Sequence, residues 1–69
     1  MTQTFELTGE FIELYKLLKL FSLSTSGGMA KAMIAEGEVS VDGQIELRKR
    51  CKLRRGQVVE CGGEKIEIV

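Results

Sequence analysis

Arg48, Lys49, Arg50, Lys52, Arg54 and Arg55 place six of the chain's ten cationic side chains in eight consecutive positions, with no acid among them. All ten carboxylates and only four cations are left for the other residues, so a chain of zero formal net charge is strongly segregated. Guanidinium and ammonium groups at this density bind an extended polyanion, most plainly a nucleic-acid backbone. A solvated basic loop has the same composition, so the run alone does not decide between the two. Spacing adds information. In extended backbone Arg48, Arg50, Lys52 and Arg54 share one face, and Leu47, Lys49, Cys51 and Leu53 share the other. Same-face residues then lie roughly 6.6 Å apart, from a rise of ~3.3 Å per residue. A ladder of that pitch follows successive phosphates, and arginine's planar fork donates two parallel hydrogen bonds to a phosphate. Arg55, before Gly56, is expected to be a turn residue with a solvated charge.

A second candidate anion site precedes a helical stretch. Ser26, Gly27 and Gly28 open it, where free N–H groups and the helix dipole attract phosphate and two glycines permit close approach. Lys31 stands one turn further on. Serine-glycine before a helix is more often only a cap, with Ser24 or Ser26 accepting a backbone N–H.

Other chemistries lack their residues. The chain has no histidine to act as a base, and its carboxylates form no clustered pair. Cys51 and Cys61, ten positions apart, do not make a zinc site. They are expected to be reduced thiols of a cytoplasmic protein, the alternative being a disulfide between neighbouring strands. Basic neighbours can depress the Cys51 thiol pKa, but a thiol enzyme would still lack its partner base. No apolar run is long enough to span a membrane, and the first residues do not form a secretory signal. The expectation is a binding module and not an enzyme, with neither metal nor cofactor.

These residues need elements to hold them. The 69 residues suffice for one domain, 1–69, with a small core. Thr4–Leu7 reads as a short edge strand. Glu10–Phe21 has helical period, with Phe11, Leu14, Tyr15, Leu17, Leu18 and Phe21 on one arc and Ile12 and Leu20 outside it. The two aromatics near its start are expected in the core. A second helix runs from Gly27 to Glu36, with Met29, Met33, Ala30 and Ile34 on its apolar face. Gly37 ends it as a left-handed cap. The period then changes to two: Val39 and Val41 alternate with Ser40, and Asp42-Gly43 marks a tight hairpin whose return strand holds Ile45 and Leu47. A second hairpin turns at Gly62-Gly63 between Val58–Cys61 and Lys65–Val69. The pattern is an α+β domain, two helices packed on a small, largely antiparallel sheet of four to five short strands.

Residues 26–43, SGGMAKAMIAEGEVSVDG, resemble the S-four RNA-binding domain, the alpha-L motif named after a small-subunit ribosomal protein. The resemblance is carried by Ser26, Ala30, Met33-Ile34, Gly37, Val39 with Val41, and Asp42-Gly43. Leu17, Leu18, Leu53 and Gly56 to Val58 extend it over residues 10–61. It implies binding of structured RNA, ribosomal or transfer RNA in class, through the second helix and the adjoining strand and loop. By position it implicates Ser26, Gly27, Gly28, Lys31 and the stretch after Gly43, including Arg48, Lys49, Arg50, Lys52 and Arg54. Many members carry arginine after the helix-opening serine, where this chain has Gly27, so the basic run must take a larger share. The strings SGGMAK and RKRCK resemble a small stand-alone bacterial subgroup. The expected partners are RNA and ribosomes or their assembly particles. The competing expectation is a protein-interaction module docking an acidic partner on a ribonucleoprotein.

Overall fold

The computed structural model describes residues 2–21 and 27–69, arranged as seven strands and two helices. The strands are β1 (Thr2–Phe5), β2 (Ile12–Glu13), β3 (Val39–Val41), β4 (Gln44–Ile45), β5 (Lys52–Leu53), β6 (Val58–Cys61) and β7 (Glu64–Ile68); the helices are α1 (Leu14–Leu20) and α2 (Gly27–Ala35). Five strands form one sheet in the order β1-β7-β6-β3-β4, and β2 pairs with β5 in a separate two-stranded ribbon. The fold is the expected α+β arrangement, antiparallel except at one edge. There β1 runs parallel to β7, with Thr2 opposite Lys65 and Phe5 opposite Ile68. The edge strand lies two residues earlier than Thr4–Leu7, although the contact carries on past Phe5: Leu7 is buried and its N–H donates to the Val69 carbonyl at 2.9 Å.

Both hairpins follow from their turn residues. Asp42 and Gly43 take φ of 52° and 83°, and Gly62 and Gly63 take 58° and 84°, the paired positive values of a tight turn matched to strand twist. Asp42 then ties its hairpin to β6: its carboxylate accepts the Val58 N–H at 2.9 Å and the Gln57 side-chain amide at 3.2 Å. At the end of α2, Gly37 donates to Ile34 O at 3.1 Å and Glu38 to Met33 O at 3.1 Å, with φ of +79° at Gly37. This bond pair is the Schellman closure and turns the chain into β3.

One core forms where α1 and α2 meet the inward face of the sheet. Leu14, Leu17 and Leu18 of α1 and Ala30 and Ile34 of α2 join Val39, Val41, Val59, Cys61, Ile66 and Ile68, with Leu7 and Leu53 at its margins. Alternation along β6 and β7 sends Val59, Cys61, Ile66 and Ile68 inward and leaves Glu60, Lys65 and Glu67 outside. Among the described residues no polar or charged side chain is buried. Both cysteines are free thiols. No described helix is long and apolar enough to cross a membrane.

The first helix departs from its expected start. Helical period begins at Glu10, yet the helix begins only at Leu14, because Ile12 and Glu13 pair with Leu53 and Lys52. That ribbon brings the cationic run against the front of α1.

Candidate nucleic-acid interface

The N-terminus of α1 determines where the basic run sits. A helix leaves its first N–H groups without internal partners, and Glu13 at the cap position makes no side-chain bond to them. Carbonyls of the basic run fill that role: Leu14 donates to Cys51 O at 3.0 Å and Tyr15 to Lys49 O at 3.2 Å. With those carbonyls drawn toward the positive end of the helix, the backbone cannot stay extended. Cys51 N–H donates back to Arg48 O at 3.2 Å, and Lys49-Arg50 becomes a turn. The expected ladder over 47–54 is therefore absent; of these residues only Lys52 and Leu53 form strand. Leu47, expected inward, is 59% exposed, whereas Leu53 is fully buried.

The turn replaces the ladder with a cluster. Lys31 from α2 lies 4.9 Å above the Tyr15 ring centroid, and Arg50 from the turn lies 5.9 Å from it. Lys52 of β5 lies 5.0 Å from the Phe11 centroid, and Arg54 just beyond β5 lies 6.0 Å from it. Two rings thus each hold two cations, drawn by the negative face of the π system. Four side chains separated by up to 23 positions become one cationic face (Lys31 to Arg54). Phe11, expected in the core, is exposed and contributes to it instead, whereas Tyr15 packs against the core as expected and also meets two cations. Charge repulsion had no place in the helical period that assigned them inward. The sequence signal was their four-residue spacing at the start of a helix next to the paired cationic strand.

Carboxylates divide the run further. Glu46 accepts from the Arg48 guanidinium twice, at 3.0 and 3.1 Å, and from the Arg48 backbone N–H at 3.0 Å. These bonds hold the Glu46 carboxyl down to about 2. Arg50 lies 3.9 Å from Glu13, which also pairs with Lys16 at 3.2 Å. Among the described residues, no carboxylate comes within salt-bridge distance of Lys31, Lys49, Lys52 or Arg54. Arg55 is not a loose solvated charge: its guanidinium donates to Leu7 O at 2.6 Å and fastens the segment before α1. Arg54 also reaches Glu10 O at 3.5 Å.

Gly27 and Gly28 form the first turn of α2, one turn before Lys31. Ser24 and Ser26, the expected caps, lie outside the described residues. Cys51 is half-buried, and burial raises its thiol pKa; Glu46 raises it as well, while Arg48 only partly opposes. The sulfur therefore keeps its proton at neutral pH, the reverse of the activation that basic neighbours suggest. Among the described residues no group of histidine, cysteine or carboxylate side chains is arranged to hold a metal.

The S4 domain pattern matches residues 5–69, which takes in both helices, the ribbon and the cationic face. The chain belongs to the S4 domain family. Among its S4 relatives, a putative RNA-binding protein of Escherichia coli, YbcJ, is 52% identical over 58 residues, covering 84% of this chain and 83% of that protein. The probable ribosome maturation protein RlbA of Bacillus subtilis is 40% identical over 63 residues, covering 91% of this chain and 89% of its own. The solution structure of E. coli YbcJ, described as revealing an αL motif involved in RNA binding, superposes with a TM-score of 0.73 at 49% identity, over 96% of this chain and 85% of that one. The 30S ribosomal protein S4e of Thermoplasma acidophilum shares the fold, with a TM-score of 0.62 at 24% identity, over 84% of this S4 domain and 31% of the larger protein.

Proposed function

We propose that this S4 domain is an RNA-binding module for structured RNA of the ribosomal or transfer RNA class, with the cation-covered rings as its binding face. The observation that carries the reading is that Lys31, Arg50, Lys52 and Arg54 converge from α2, the 49–50 turn and the β5 segment over Phe11 and Tyr15. Like charges held this close repel one another, and an incoming phosphate backbone relieves that repulsion while releasing its own counterions. The rings and the backbone bonds to α1 hold the cations in place beforehand, which lowers the ordering cost of binding. Lys49 at the turn, and the Gly27 and Gly28 N–H groups one turn before Lys31, extend the face. Arg48 contributes less, because Glu46 already occupies its fork. Ser26 adjoins this face in sequence and is proposed with it.

The names of the relatives agree with this reading: one is a putative RNA-binding protein and another a probable ribosome maturation protein. By analogy with the latter, ribosomal RNA or an assembling ribosomal particle in the cytoplasm is the proposed target. Shape and 2′-hydroxyl contacts then give preference for RNA over DNA. The proposed activity is binding, with no catalytic step.

Binding to a structured ribosomal RNA fragment across a salt series tests the reading. Four neutralised phosphates give log K against log salt a slope of about −3, at roughly −0.7 for each. A flat dependence overturns it. Capture of an acidic ribosomal partner that survives nuclease treatment, with no salt-sensitive RNA binding, supports the protein-docking alternative instead.

A further inference from the structure

Beside the cationic face, the outer side of α1 carries an open groove of about 510 Å³ lined by Ile12, Lys16, Lys19 and Leu20. Lys16 stands three and four positions before Lys19 and Leu20 on α1, so these three lie near one another on the helix, and Ile12 of β2 closes the groove at its start. The groove's chemistry is mixed. Leu20 is 63% exposed, and Ile12 is half-buried against the core, so the floor is apolar. Two ammonium groups flank that floor. A flat, largely apolar group bearing an adjacent anion satisfies both features, and a nucleotide is such a group, with its base on Ile12 and Leu20 and its phosphate at Lys19, Lys16 being already paired with Glu13 at 3.2 Å.

The groove adjoins the cationic face, with the Glu13 carboxylate between them, 3.2 Å from Lys16 on one side and 3.9 Å from Arg50 on the other. Ile12 also pairs across the ribbon with Leu53, next to Lys52. The two surfaces differ in what they offer. Phe11 and Tyr15 each lie under two cations, which suits a backbone, whereas the Leu20 side chain is open to a base. We infer that the α1 groove holds an unpaired nucleotide of the same RNA whose backbone lies on the cationic face, so that the domain recognises a junction between paired and single-stranded RNA. The inference rests on the RNA-binding reading above.

Fluorescence anisotropy with two labelled RNAs tests it: a blunt hairpin, and the same hairpin with a short single-stranded tail, attached at the 5′ end in one version and at the 3′ end in another. The unaltered protein is expected to bind one tailed version about tenfold more tightly than the blunt one, a difference of about 1.4 kcal/mol. Leu20→Ser and Lys19→Ala, at exposed positions, are expected to remove that advantage and leave blunt-hairpin affinity unchanged. Lys52→Ala is expected to weaken both RNAs together. Equal binding of tailed and blunt hairpins by the unaltered protein overturns the inference while leaving the RNA reading intact. So does an advantage that survives both groove substitutions, or one lost in step with blunt binding. Failure to bind any of these RNAs removes the RNA reading, and the groove's role with it.

Discussion

Arg48 and Lys52 stand four residues apart in one cationic run, and the fold puts them to different uses. Arg48 folds back on Glu46 through its backbone N–H and the Nε and Nη2 of its guanidinium, forming a closed local ion pair. Lys52, carried on β5, instead points its ammonium over Phe11, with Arg54 over the same ring. Arg50 is intermediate: it shares Tyr15 with Lys31 but also lies near Glu13. Counting charge along a sequence therefore overstates what is available to a ligand. A carboxylate two positions away satisfies a cation internally. An aromatic ring holds it in place and leaves its charge uncompensated.

The largest test of this difference replaces the ring-held half of the run. Arg50, Lys52 and Arg54 changed together to alanine remove three proposed phosphate contacts. The salt slope is expected to fall from about −3 to about −1, with affinity near physiological salt lowered by roughly two orders of magnitude. Arg48→Ala is expected to change affinity less than about twofold, a small effect in keeping with an exposed charge already paired. Salt titrations of both variants, alongside far-UV circular dichroism to confirm folding, separate the halves. Equal losses from the triple variant and from Arg48→Ala would erase the distinction.

A smaller effect is expected from the rings themselves. Tyr15→Leu and Phe11→Leu keep an apolar side chain at each position and remove the π face. Each is expected to weaken RNA binding about two- to fivefold, the equivalent of ~0.5–1 kcal/mol for an exposed cation–π contact. If the rings serve only as packing, both variants bind as the parent does and differ only in thermal stability.

Much of the fold was legible because its signals are local. Asp42-Gly43 and Gly62-Gly63 need positive φ at successive positions, and that requirement survives any tertiary context. Gly37 closes α2 by the same logic. Alternation in β3 identified Val39 and Val41 as its buried face. The basic run was visible as a binding element, but its shape was not. Period two over 47–54 gives a ladder, whereas the structure gives a turn, because Leu14 and Tyr15 N–H groups take up carbonyls from residues 51 and 49. Those donors lie more than 30 positions away in sequence, where no window of local periodicity reaches them. The late start of α1 has the same origin, since Ile12 and Glu13 are held by Leu53 and Lys52. Misplacing that start also hid Phe11 and Tyr15, whose helical spacing reads as core until the cations over them are seen.

The most delicate test concerns Glu46, which sets Arg48 apart. Its folded pKa is about 2, below the ordinary 4.5, chiefly because of the Arg48 side-chain bonds. A depressed carboxyl pKa means that the pair's contribution to stability is complete above about pH 4.5 and is lost as the pH falls toward 2. At neutral pH the pair is therefore closed, and Glu46 engages the Arg48 fork. Glu46→Gln opens it and is expected to raise RNA affinity about twofold, making a further Arg48→Ala change costlier than in the parent. The carboxyl resonance of Glu46, followed by NMR through the acid range, is expected to titrate near 2 in the parent and to move back toward 4.5 in Arg48→Ala. A parent midpoint already near 4.5 would mean that Arg48 is free in solution, and the run would then act as one continuous cationic element instead of two unlike halves.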